Sequence, residues 1–180
     1  MSKVKYKTYL SSKSVRHTAQ LLRNYQKRLE KQIEQFCEEL AKEGETVIRA
    51  VLSEHVETGE TIGSVQLVTE GSGQYGYYKA KVQVTSDAIL FLEFGSGLIG
   101  QGTAPHAGEF GMGSGTFPSE VPIQDPQGRY ENWANPNGWH YYDGSGKLRN
   151  SHGMVASYPM LQGGRAMEEK LESIARKVFG

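Results

Sequence analysis

Gly95, Gly97 and Gly100 spell G-x-G-x-x-G directly behind an apolar run at 88–94. Glycines at that spacing let a backbone approach a pyrophosphate. The last glycine must then open a helix, and an acid about 20 residues on must hold a ribose. Here Gly100 leads into Gln101-Gly102-Thr103-Ala104-Pro105, a poor helix start, and Glu120 sits in TFPSEVP. The spacing predicts a hinge that ends a buried element and releases the chain into a loop. Glycine suits that role because it accepts positive φ. His106, His140 and His152 share the following stretch with Glu109, Asp125 and Asp143. None of the five histidines forms H-x-x-x-H or H-E-x-x-H, so surface histidines are a plainer reading than a metal site. EFGMGSG, at 109–115, lacks the G-x-S-x-G of a nucleophile elbow. No cofactor and no catalytic group is expected.

Glu93 is the awkward residue of the apolar run. A carboxylate among Phe91, Leu92 and Phe94 needs a partner if it is buried. Backbone N–H groups of the glycine turn, or an Arg or Lys of an adjoining subunit, would serve; a solvent-facing position is the alternative. NGWHYYDGSGKL, at 137–148, resembles one unit of the cell-wall choline-binding repeats, whose aromatic rings box a quaternary ammonium. Such units work in arrays, and one copy is present. Trp139 to Tyr142 is read as a strand and 143–146 as its turn. A wall- or glycan-binding module using Trp133, Trp139, Tyr141 and Tyr142 is the alternative function.

The elements that must position these residues follow from periodicity. Between 18 and 54 the apolar residues recur at helical spacing, with Gly44 a possible bend. SVQLVTE, at 64–70, and YYKAKVQVT, at 77–85, alternate as strands of an antiparallel hairpin. AILFLEF, at 88–94, reads as a third strand or a short buried helix. The stretch 98–153 reads as a long glycine- and aromatic-rich excursion. A last amphipathic helix covers 162–179. The order predicts one α+β domain over 15–180: a long N-terminal helix, an antiparallel sheet of three to five strands, and a C-terminal helix packed on that sheet.

The 180 residues carry zero net charge, which argues against a whole-molecule grip on nucleic acid or membrane. The charge is uneven, however. Lys3, Lys5, Lys7, Lys13, Arg16, Arg23, Lys27 and Arg28 all precede the first acid, Glu30. Residues 1–14 read as a basic arm, either solvated or docking on acidic partners or DNA, with Arg16 just behind it. Cys37 is the lone cysteine, so no intrachain disulfide forms. No secretory signal and no membrane-spanning run is visible, and a cytoplasmic site of synthesis is expected.

Three stretches together resemble one family. Thr58-Gly59 with Ser64-Val65 is similar to a T-G-x-L-x-x-S-[IV] element that ends a first helix. SDAILFLEFGSG, at 86–97, resembles S-x-Y-A-x-[YF]-V-E-[FY]-G-[TS]-G. Tyr158-Pro159-Met160-Leu161, then Ala166, resembles P-F-L-x-x-A at the start of a last helix, with Met160 in place of phenylalanine. The family is that of tailed-phage neck proteins, the tail-component or tail-completion proteins typified by a Hong Kong lambdoid phage. The resemblance implies a small α+β subunit of a virion, made in the host cytoplasm. It implies a ring, a hexamer by family precedent, between the head connector or stopper and the tail terminator or tail-tube proteins. It implies contact with DNA in the neck lumen, no membrane and no catalysis. Its interface residues would be Glu93, Phe94, Gly95, Ser96 and Gly97, the loop aromatics Trp133, Trp139, Tyr141 and Tyr142, and the basic arm with Lys3, Lys5, Lys7, Lys13 and Arg16.

Overall fold

A computed structural model describes residues 11–55, 59–72, 77–86, 88–100, 102–110, 138–142 and 145–180. The fold is α+β. Helix α1 runs over Ser12–His55 and α2 over Gly59–Gly63. Strands β1 (Val65–Ser72) and β2 (Tyr77–Val84) follow, then short helices α3 (Ile89–Phe94) and α4 (Gly97–Gly100). A 3-10 turn at Ala107–Phe110, strands β3 (Trp139–Tyr142) and β4 (Leu148–Ser151), and helix α5 (Pro159–Phe179) complete it.

α1 starts earlier than its apolar period because Ser11 caps it. The Ser14 N–H donates to Ser11 Oγ at 3.2 Å, satisfying one orphan amide of the first turn. Lys13 and Arg16, expected in or just behind a basic arm, are therefore part of α1, while Lys3, Lys5 and Lys7 lie outside the described residues. Gly44 does not break the helix. It faces Gly163 of α5, where a Cβ on Gly163 would stand 2.6 Å from Ile48 Cγ1. The two glycines let antiparallel helices cross closely, an approach that repays their poor helix propensity. α5 thus lies chiefly against α1 rather than on a sheet as expected. The contact ends where Phe36 meets Phe179, ring centroids 5.6 Å apart, and Gln32 Nε2 donates to the Val178 carbonyl at 2.6 Å.

The expected sheet of three to five strands is replaced, among the described residues, by two separate antiparallel hairpins, β1–β2 and β3–β4. β1 and β2 pair from Val65 opposite Val84 to Ser72 opposite Tyr77. The run at 88–94 is helical, the second of the two readings the sequence allows. Ser86 explains this locally: its carbonyl accepts from the Ile89 N–H at 3.1 Å and its hydroxyl accepts from the Ala88 N–H at 3.3 Å. A short turn buries Leu92 and Glu93 together on one side. Trp139 to Tyr142 is a strand, as the aromatic stretch predicts, pairing Trp139 with Ser151.

The core gathers Ile48 and Leu52 of α1, Val65 of β1 and Leu92 of α3, with Ile62, Val82, Ile89, Met154 and Met160 around them. Arg49 closes its edge. Its guanidinium donates to the carbonyls of Ile62 (2.7 Å) and Val65 (2.6 Å) and to Glu45 (2.9 Å), fixing α2 and β1 against α1.

Candidate functional site

The site is built where the end of α3 meets the start of α5. Tyr158 is the N-cap of α5, held in the left-handed region at φ 56°, and its side chain makes no capping bond. It is the one non-glycine residue at positive φ among the described residues. A tyrosine pays for that conformation, so surrounding contacts must impose it. Three bonds do so: the Leu92 carbonyl accepts from the Ser157 N–H (2.7 Å), the Tyr158 N–H (3.3 Å) and the Ser157 hydroxyl (3.2 Å).

Glu93 then supplies the missing cap from another element. Its Oε2 accepts from the Met160 N–H at 2.7 Å and its Oε1 from the Leu161 N–H at 3.1 Å. These are first-turn amides that no intrahelical carbonyl can satisfy. Negative charge is favourable at this helix end. Glu93 is 9% exposed. Burial pushes its pKa up, while the two backbone bonds pull it down. Burial wins, so the site holds a carboxylate at some electrostatic cost. The sequence expectation for Glu93 is corrected here: its donors belong to α5, not to the glycine turn. No Arg or Lys approaches it among the described residues.

The glycine motif is a knot of backbone. Gly95 (φ 75°) and Gly97 (φ 62°) follow α3 in conformations other residues resist. Ser96 exchanges both backbone bonds with Met154, N–H to carbonyl at 2.9 and 3.0 Å. A Cβ on Gly95 would lie 3.0 Å from the Met154 carbonyl oxygen, and one on Gly100 would lie 2.5 Å from it. Thr103 locks the knot, donating to the Gly100 carbonyl (2.7 Å) and accepting from the Ala156 N–H (3.0 Å). The space that a phosphate cradle would leave open is filled by the chain at 153–154.

A cleft of about 550 Å³ flanks this junction, lined by Val47, Pro105, His106, Tyr158, Arg165 and Glu169 among others. His106 Nε2 lies 3.4 Å from the Arg165 guanidinium and its Nδ1 3.6 Å from Glu109. His140 is on β3, 3.4 Å from the Asn150 amide. Among the described residues no three His, Cys, Asp or Glu side chains converge as a metal site.

The structure therefore brings Glu93, Phe94, Gly95, Ser96 and Gly97 together with 154–161. Lys13 and Arg16 stand apart, on the first turns of α1. Trp133 lies outside the described residues, and for Trp139, Tyr141 and Tyr142 the description extends to their backbone pairing in β3. Sequence reasoning missed Arg49, Met154 and the Gly44–Gly163 crossing. Two glycines on the apolar sides of long helices were the available signal for the crossing. No helix among the described residues is long and apolar enough to cross a membrane.

Comparison with protein-family models, curated proteins and solved structures yields no match to this chain.

Proposed function

We propose that this chain is a structural subunit of the head-to-tail neck of a long-tailed phage or phage-derived particle, a tail-completion or head–tail joining protein. It works by assembling with copies of itself into a ring, a hexamer by the family resemblance. That ring docks on head connector or stopper proteins and on the tail terminator or tail tube. It makes and breaks no covalent bond. Multivalency lets modest contacts hold such a ring.

The observation that carries this reading is that the three family-like stretches are bonded to one another. Thr61, between Thr58-Gly59 and Ser64-Val65, is 4% exposed and shares a 3.0 Å hydroxyl contact with Ser86, the first residue of the second stretch. Glu93 of the second stretch caps the helix that the third begins. Thr61 stands where the motif has leucine, but the motif residue Val65 shares the buried core with Leu92 of the second stretch, so the stretches are also joined through a position that the pattern specifies. Glu93, Gly95, Ser96 and Gly97 are themselves buried, so in this reading the knot fixes the exposed side chains beside it, Leu90, Phe91 and Ile99, for contact with a neighbouring subunit, and the basic first turns of α1 face acidic partners or DNA.

The test is particle assembly without this protein. Electron microscopy is expected to show heads and tails that fail to join, or defective tails, with this chain present in intact particles by mass spectrometry. Joined, infectious particles lacking the chain would end the proposal. The second reading, a wall-glycan or choline-binding accessory, has the β3–β4 hairpin on its side, because the aromatic stretch folds as such a unit does. Choline or wall-polysaccharide binding by the purified protein would favour it.

A further inference from the structure

α1 has 44 residues and α5 has 21, so at 1.5 Å per residue their lengths are about 66 and 32 Å. α5 ends level with Gln32 and Phe36. The first five turns of α1, residues 12–31, therefore run on for about 30 Å past the end of its helical partner. This arm carries Lys13, Arg16, Arg23, Lys27, Arg28 and Lys31 against a single acid, Glu30.

The cations are sorted by face. At about 100° per residue, Lys13, Arg16, Arg23, Lys27 and Lys31 fall within a sector of about 80°. Val15, Leu22 and Leu29 centre about 140° away. All five cations are exposed. None of the five holds a carboxylate among the described residues. On the body, Arg49, Lys81, Arg176 and Lys177 each bind one, at 2.6 to 2.8 Å, while Lys42, Lys79, Arg165 and Lys170 bind none among the described residues, so what sets the arm apart is its alignment of cations on one face. Between the cations the sector holds Gln20, bonded to Asn24 at its margin at 3.1 Å, and no apolar residue. A protein-docking face needs an apolar centre and is depleted in lysine. This face has neither property. A polyanion with regularly spaced charge fits it instead.

We infer that the basic face of the α1 arm binds the phosphate backbone of duplex DNA without sequence preference. From Lys13 to Lys31 the row spans about 27 Å, the axial length of about eight base pairs. The row is almost entirely lysine and arginine on an exposed face, which neutralise phosphates, and phosphate contacts carry no sequence information, so the contact is electrostatic. The inference rests on the neck reading only for what brings duplex DNA within reach.

The test uses the purified full-length protein and a fluorescent mixed-sequence 24-base-pair duplex, titrated between 50 and 200 mM salt. A triple variant, Arg23→Gln, Lys27→Gln and Lys31→Gln, keeps helix propensity and alters exposed positions outside the core, so its circular dichroism should match wild type. Each lost phosphate contact lowers the slope of log affinity against log salt by about 0.9. The triple variant is expected to bind with a slope shallower by about 2.7. An unchanged slope, or no duplex binding by wild type at 50 mM salt, overturns the inference. So does tighter binding to polyglutamate or to vesicles of anionic phospholipid in the same buffer. Because the assay needs no particles, a negative result leaves the assembly test above untouched, and the reverse also holds.

Discussion

The two ends of α1 teach different lessons although they belong to one helix. At the C-terminal half, Ala41, Ile48, Val51 and Leu52 are buried, and its polar neighbour Arg49 is held by several oxygens. At the N-terminal half, Val15 is 53% exposed and Leu22 49%. Among the described residues, its side chains before Gln32 pair locally, as in Gln26 to Glu30 at 2.8 Å or Arg28 over the Tyr25 ring at 5.4 Å. An isolated helix of that length is marginal in water, so the arm stays helical because the packed half nucleates it. The packed end holds the fold, and the projecting end displays charge.

The sharpest way to test this contrast is one substitution at each end of the same helix. Leu52→Ala, at a position with no exposure, should cost about 2–5 kcal/mol in denaturant unfolding. Glu93→Ala comes next. It leaves two first-turn amides of α5 without their charged acceptor, which should cost about 2–3 kcal/mol. In a chain of this size that lowers the melting temperature by roughly 4–12 °C. An unchanged melting temperature would mean that Glu93 does not hold α5. Gly163→Ala should be milder, at about 1–3 kcal/mol, because the added methyl meets buried Ile48 and outweighs the gain in helix propensity. Stabilisation by this change would show that the α1–α5 crossing has room to spare.

The pH dependence separates the same two environments. The folded-state pKa of Glu93 is raised, so the folded state binds its proton more tightly than the unfolded chain does. Its contribution to stability is fully present below the ordinary value of 4.5 and is lost as pH rises through the raised value. Glu39 and Glu70 have lowered values from bonds to Lys177 and Lys81, and their contributions run the other way, fading as pH falls. Glu70 is exposed, and Glu39 is half-buried but bonds an exposed lysine, so their effect is small. The stability difference between wild type and Glu93→Gln, measured from acid to neutral pH, should therefore shift against wild type as pH rises. A difference that is flat with pH would mean the carboxylate is not buried. The smallest expected effect is Leu22→Ala on the arm, within about 0.5 kcal/mol. A larger loss would mean that the exposed stripe is already covered in solution.

Much of this was legible because it is local. The 3.6-residue period marked α1 and α5, alternation marked β1 and β2, and the turn chemistry of DGSGKL marked the β3–β4 hairpin. The peculiarity of Glu93 was also legible, since a carboxylate in an apolar run demands a partner. The identity of that partner was not. Met160 lies 67 residues further along the chain, and no short-range pattern announces which amides a carboxylate will meet. For the same reason Gly44 read as a weakness until Gly163 stood opposite it.

Residue types and spacing determined the α+β class, the long helix, the split of charge along it and the tight turns of the glycine motif. Tertiary structure alone decided three things: that 88–94 coils instead of pairing as a strand, that α5 rests on α1, and that the glycines fill with backbone. The physical reason is range. Periodicity and steric preference act within a few residues, whereas burial and the satisfaction of stranded amides are settled only when distant segments meet.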